Sequence, residues 1–151
     1  MVTIEKSCEM LAKVERVWEL ISDVDKDPEY WGAIRDVKVL KKEGNTIERE
    51  AVVGPRAFAQ KSRQTIVLDP MKSIELTMTG EGMTGDRKVV LVPMGKNSTR
   101  VDVSWHLEVR DVPGFVQNIV KGQISRATEE ALKRFKREAE RPQAALREVP
   151  S

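Results

Sequence analysis

The stretch that decides the fold runs from Thr99 to Val109, TRVDVSWHLEV, and, after a short turn, from Phe115 to Glu140, FVQNIVKGQISRATEEALKRFKREAE. In the first part Val101, Val103, Trp105, Leu107 and Val109 fall on one side of a strict alternation. Arg100, Asp102, Ser104, His106 and Glu108 fall on the other, the pattern of a strand with one face on a core and one in water. Trp105 is thereby predicted inward and His106 outward. In the second part the period changes: Val116, Val120, Ile124, Ala127, Ala131 and Phe135 recur at helical spacing and stripe one face of a long helix, which Arg141-Pro142 ends. One long helix after a run of strands predicts an antiparallel sheet wrapped around it, an arrangement that leaves room for a hollow.

Upstream, strand-like runs are predicted at 35–42, 46–53, 58–68, 73–79 and 87–92. They are separated by turn residues at Gly44-Asn45, Gly54-Pro55, Asp69-Pro70, Gly80 to Gly85 and Gly95 to Ser98. Links this short favour antiparallel pairing of successive strands. A first strand is read over 2–10. Val14, Val17, Trp18 and Ile21 then give a short helix with one buried face, and Asp27-Pro28, with Asp27 read as an N-cap, opens a second around Tyr30, Trp31 and Ile34.

Composition narrows the classes of function. The chain has 151 residues, suited to one domain, and its 33% of charged residues nearly cancel to a net charge of +2. There is no broad basic field to bind a nucleic-acid backbone, so nucleic acid is not expected as a partner. The basic residues Lys133, Arg134, Lys136, Arg137 and Arg141 are interleaved with Glu129, Glu130, Glu138 and Glu140 and read as a solvated helix face. The start, Met1-Val2-Thr3-Ile4-Glu5-Lys6, lacks the apolar core of a signal peptide, and no apolar run approaches the roughly 20 residues of a membrane span. A cytoplasmic protein without stable membrane insertion is expected. A lone Cys8 has no thiol partner for a disulfide and no ligand set for zinc, so neither metal nor cofactor is expected.

The order of these patterns resembles a known family. Glu15-Arg16-Val17-Trp18-Glu19-Leu20-Ile21-Ser22-Asp23, continuing through Pro28 and Trp31 to Val37-Lys38-Val39-Leu40, resembles the opening of START-like domains of the SRPBCC superfamily, in the polyketide cyclase and coenzyme-Q-binding branch. Val92-Pro93 with Ser98-Thr99-Arg100-Val101 resembles its sixth and seventh strands, and Pro113-Gly114-Phe115 through Phe135 its closing helix. Lys13 departs from the family, many members having proline there. The resemblance implies an α+β helix-grip fold over residues 1–140. Its seven-stranded curved antiparallel sheet encloses a long C-terminal helix, and two short helices lie between strands 1 and 2; the polar remainder over 141–151, after the helix stop at Arg141-Pro142, reads as a flexible tail. The resemblance also implies a ligand cavity between sheet and helix, with a mouth at the Gly54-Pro55-Arg56 loop, the Gly80 to Gly85 loop and the turn from Asp111 to Phe115.

Three readings of function follow. The first is binding or transport of a hydrophobic small molecule, such as a quinone, lipid, isoprenoid or polyketide-like compound, by a monomer or homodimer without catalysis. The second is an aromatase/cyclase-like enzyme, which requires a buried acid, base or arginine in the pocket. The third is a protein-interaction or stress-related module. Candidate lining residues are Ala51, Leu76, Met78, Val89, Leu91, Trp105 and Leu107 on inward strand positions, with Met83 at the lip and Phe115, Ile119 and Gln123 on the closing helix. Each apolar member serves equally as core. Arg49 shares the inward parity of Ile47, Ala51 and Val53, where an unpaired charge would cost several kcal/mol. Either it meets an acid or an anionic ligand group, or a bulge or an exposed strand end returns it to solvent.

Two motifs carry less. Gly80-Glu81-Gly82-Met83-Thr84-Gly85 has the G-x-G-x-x-G spacing of a dinucleotide site, but the residues after it read as strand, whereas phosphate binding needs a helix N-terminus there. His106, the single histidine, shares its wet face with Ser104 and Glu108 at a spacing of about 7 Å, too far for a triad.

Overall fold

The computed structural model describes residues 1–54 and 59–142. The expected mouth residues Pro55 and Arg56, the start of the strand predicted from Phe58, and the tail from Gln143 lie outside them. The elements follow the predicted order: β1 (Val2–Met10), α1 (Val14–Ile21), a 3-10 turn (Val24–Lys26), α2 (Asp27–Tyr30), β2 (Ile34–Glu43), β3 (Thr46–Val53), β4 (Gln60–Asp69), β5 (Ser73–Thr79), β6 (Met83–Pro93), β7 (Thr99–Val109) and α3 (Gly114–Ala139). All neighbouring strands pair antiparallel in the order β1-β7-β6-β5-β4-β3-β2, and the curved sheet holds α3 in the helix-grip arrangement.

The bounds of β3, β5 and β7 match the alternation read from the sequence. In β6 they do not: the strand begins at Met83, so the connection from β5 shrinks to Gly80-Glu81-Gly82. Gly85 lies within the strand at φ +154°, where a Cβ would stand 2.0 Å from the His106 carbonyl oxygen of β7. Only glycine fits so close an approach of two strand backbones. β2 is an edge strand interrupted by register shifts, with Asp36 at φ +51° in the first of them. Such irregularities, with Lys38, Lys41 and Lys42 along the strand, blunt an edge that would otherwise pair with another chain.

The core lies between the concave side of the sheet and α3. Val116, Val120, Ile124, Thr128, Ala131, Leu132, Phe135 and Ala139 form the buried face of α3, which rests mainly on β1, with α1 and α2 packed beside it. Asp27 is no N-cap. It occupies the first position of α2, the cap position is Lys26, and the Asp27 carboxylate turns into the interior, 2% exposed. The α2 turn is clamped to α3 by a parallel stack of Tyr30 on Phe135, centroids 4.0 Å apart, and by Arg134 Nη1 donating to the Tyr30 carbonyl at 2.8 Å. That clamp fixes the next residue, Trp31, deep in the core beside Phe135 and Trp105.

Candidate functional site

Strand register sets the inward side chains in rows that cross the sheet. One row joins Arg49, Gln64, Met78, Gly85 and Leu107 from β3 to β7, and the next joins Ile47, Ile66, Leu76, Arg87 and Trp105. Two arginines therefore point from neighbouring rows into the core, 0% and 1% exposed. Full burial of a guanidinium is rare without partners, so the partners of each decide its role.

Arg49 is fully engaged. Its Nε donates to Gln64 Oε1 at 2.7 Å, Nη1 to the Val24 carbonyl at 2.9 Å and Nη2 to Asp27 Oδ2 at 2.8 Å. Gln64 passes its own Nε2 hydrogen to Ser62 Oγ at 3.1 Å. The bulge that would have returned Arg49 to solvent does not form; β3 and β4 pair without interruption. The acid it required is Asp27, which faces it across the interior from α2.

Arg87 is placed differently. Its Nη2 lies 3.9 Å from Asp27 Oδ2, an ion pair beyond hydrogen-bond length, while Nε and Nη1 have no partner among the described residues. The guanidinium carbon stands 4.4 Å over the Trp31 ring and 5.7 Å from the Trp105 ring, so aromatic faces supply most of its company. Trp105 is itself fixed, its Nε1 donating to Thr128 Oγ1 at 3.0 Å, and Thr128 donating on to the Ile124 carbonyl at 2.8 Å. Among the described residues Asp27 is the only buried acid. Two guanidiniums thus face one carboxylate. Burial pushes the Asp27 carboxyl above its ordinary range against the pull of Arg87 and Arg49, and burial pushes Arg87 down to about 10 although Asp27 pulls the other way.

The remaining inward candidates take their expected places. Ala51, Leu76, Met78, Val89, Leu91, Trp105 and Leu107 are all buried on the concave side, and Met83, expected at the lip, is buried as well. Phe115, Ile119 and Gln123 stand exposed instead, with Phe115 at 68%. They sit one residue off the buried stripe of Val116, Val120 and Ile124, about 100° around the helix, and so face away from the core. Arg87 and Asp27 were not singled out from sequence. Arg87 shares the parity of Val89 and Leu91, which was the available signal.

Between β5 and β6 the glycine-rich connection, expected at the mouth, is tied on both sides: the Gly82 N–H donates to Gln60 Oε1 at 2.8 Å, and the Arg110 N–H donates to the Gly82 carbonyl at 2.8 Å. Gln60, Lys61, Glu81, Gly82, Arg110 and Asp111 line an open depression of about 630 Å³ there. The third glycine of the G-x-G-x-x-G spacing leads on into β6 and no helix, which removes the phosphate-binding geometry. His106 is exposed on the convex side with Nδ1 3.3 Å from Asp86 Oδ1, apart from the interior. Among the described residues no cluster of His, Cys, Asp and Glu is arranged to hold a metal ion, and no helix is long and apolar enough to cross a membrane.

The architecture is similar to several solved structures. The Zhui aromatase/cyclase from Streptomyces sp. R1128 matches with a TM-score of 0.76 at 14% identity, over 92% of this chain and 96% of its own. A START superfamily protein from Mycobacterium smegmatis matches with a TM-score of 0.75 at 18% identity, over 91% and 99%. Norcoclaurine synthase from Thalictrum flavum matches with a TM-score of 0.66 at 17% identity, over 93% and 88%. At these identities the likeness is one of fold. No curated protein matches the sequence. The family model described as polyketide cyclase/dehydrase and lipid transport matches residues 1–140, and the chain belongs to that family.

Proposed function

We propose that the protein binds a hydrophobic small molecule between the concave side of the sheet and α3. The observation that carries this reading is the inner wall itself: a continuous apolar surface of strand side chains interrupted by one buried polar cluster, which is the composition of a site that holds an apolar body and orients it by a few polar contacts. Leu76, Met78, Val89, Leu91, Trp105 and Leu107 form the wall, and entry is by the lip around Gly82. The side chains close over the interior, so binding displaces some of them, and Met78 and Met83 are the most adaptable. Burial of ~300 Å² of ligand surface at ~25 cal/mol/Å² would supply on the order of 7 kcal/mol before the cost of association.

Native mass spectrometry of the purified protein, followed by solvent extraction, tests this. The expected result is a stoichiometric quinone, lipid, isoprenoid or polyketide-like molecule. An empty protein whose melting temperature is unmoved by representatives of all four classes would remove the reading.

A second reading, a cyclase-like enzyme, is favoured by one feature. The wall contains a buried acid beside two buried arginines, where an apolar wall would have nothing to move or stabilise charge. Turnover of a poly-β-ketone model substrate, lost on Asp27→Asn, would support it.

A further inference from the structure

We propose that Arg87, framed by Trp31 and Trp105, is an anion receptor that binds the carboxylate of the molecule held between the sheet and α3. The proposal rests on the ligand-binding reading above and deepens it by naming the ligand's polar group.

Arg87 is incompletely satisfied: among the described residues it has a long ion pair to Asp27 and the company of the Trp31 and Trp105 rings. Asp27 is already matched in charge and in hydrogen bonding by Arg49, at 2.8 Å, and Arg87 stands off at 3.9 Å. Two guanidiniums against one buried carboxylate leave a surplus positive charge, and among the described residues the buried Nε and Nη1 of Arg87 have no hydrogen-bond partner. An uncompensated buried charge of this kind is costly and is relieved by an opposite charge supplied from outside the chain.

The surplus sets the ligand chemistry. A monoanion neutralises the cluster, whereas a dianionic phosphate would reverse the imbalance. A neutral quinone or ketone oxygen would accept a hydrogen bond but leave the charge uncompensated. A carboxylate is planar like the guanidinium and accepts two of its hydrogens at once. The rest of the surroundings fit an apolar or flat aromatic body, because the Trp31 and Trp105 rings flank the guanidinium.

The approach to Arg87 is also legible in the strand rows. One step toward the mouth from Leu76, Arg87 and Trp105 lies the row of Met78, Gly85 and Leu107. Gly85 contributes no side chain, and Met78 is an unbranched thioether that repacks readily. A ligand head passing the Gly82 lip meets this row before it meets the arginine.

The test compares matched acids and alcohols, dodecanoate with dodecanol and naphthoate with naphthylmethanol, by calorimetric titration into the wild-type protein and the Arg87→Met variant. Arg87→Gln serves the same comparison if Arg87→Met does not fold. The expected result is that an acid binds about tenfold to a hundredfold more tightly than its alcohol, from the strength of charge-assisted hydrogen bonds. The variant should abolish that preference while still binding the alcohol. Equal binding of acid and alcohol to the wild type, or an acid preference that survives in the variant, overturns the receptor and leaves the ligand-binding reading standing. Failure of all four compounds to bind overturns the receptor, and, joined to an empty purified protein that no quinone, isoprenoid or polyketide-like compound stabilises, overturns the ligand-binding reading as well.

Discussion

Two arginines enter the same interior from adjacent rows of one sheet and end in opposite states. Arg49 gives three hydrogen bonds, one of them an ion pair, to groups on β4, the 3-10 turn and α2, whereas Arg87 touches two tryptophans, stands 3.9 Å from Asp27 and leaves Nε and Nη1 without a partner among the described residues. The first is a tie between the sheet and the segment that crosses its open side. The second holds its charge in reserve. Burial is shared by both and therefore does not separate a structural arginine from a functional one; the completeness of the partner set does.

The comparison breaks most readily on stability. Arg49→Met should cost about 3 to 5 kcal/mol in urea unfolding, because it strands the Asp27 carboxylate, the Gln64 amide oxygen and the Val24 carbonyl. Arg87→Met should cost only about 1 kcal/mol, since it removes one of two cations sharing Asp27 together with a contact on Trp31, and leaves Asp27 its hydrogen bond to Arg49. Equal costs for the two variants would erase the distinction. Double-mutant cycles with Asp27→Asn sharpen it: a coupling of about 3 kcal/mol is expected for Asp27 with Arg49, and a smaller one of about 1 to 2 kcal/mol for Asp27 with Arg87 across 3.9 Å.

Smaller effects test the surroundings. Gln64→Leu removes the acceptor of Arg49 Nε and should cost about 1.5 to 3 kcal/mol, with no change in carboxylate preference. Thr128→Val keeps the shape of α3 but unpairs Trp105 Nε1. It should cost about 1 kcal/mol and loosen the wall on the Arg87 side alone.

The smallest effect belongs to a pair far from the cluster. The Leu11 N–H at 2.8 Å and Lys136 hold the Glu140 carboxyl below its ordinary value of 4.5. A lowered native value means that the unfolded chain takes up the proton first as pH falls. This contribution is therefore complete above about 4.5 and fades as pH falls through the native value. Glu140→Gln should flatten the acid limb of the stability profile slightly, and a larger change than Arg49→Met produces would put the decisive electrostatics at the wrong end of the molecule.

Much of the fold was readable because its signals were local. β3, β5 and β7 alternate cleanly between turn residues, and the α3 stripe runs unbroken from Val116 to Ala139. The start of β6 was hidden because Gly82 and Gly85 read as loop, although Gly85 is a strand residue chosen for a close approach of backbones. The site was legible in halves. Alternation put Arg49 inward, yet nothing in the spacing of Asp27 and Arg49 says that a four-residue helix will bring the acid against β3. Arg87 was masked by its neighbours Asp86 and Lys88, which give the strand's beginning a polar look. Phe115 and Ile119 were misplaced for the opposite reason: an apolar side chain beside a helical stripe looks like part of it until the helix phase is fixed by packing.

The framing of Arg87 by indole rings also has an optical consequence. The chain has three tryptophans, and two of them, Trp31 and Trp105, flank the guanidinium, while Trp18 belongs to α1. The emission energy of an indole responds to the electric field across its ring. Neutralising Arg87 therefore changes the intrinsic fluorescence of the protein without any label, and the protein carries its own gauge of whether that charge has been met.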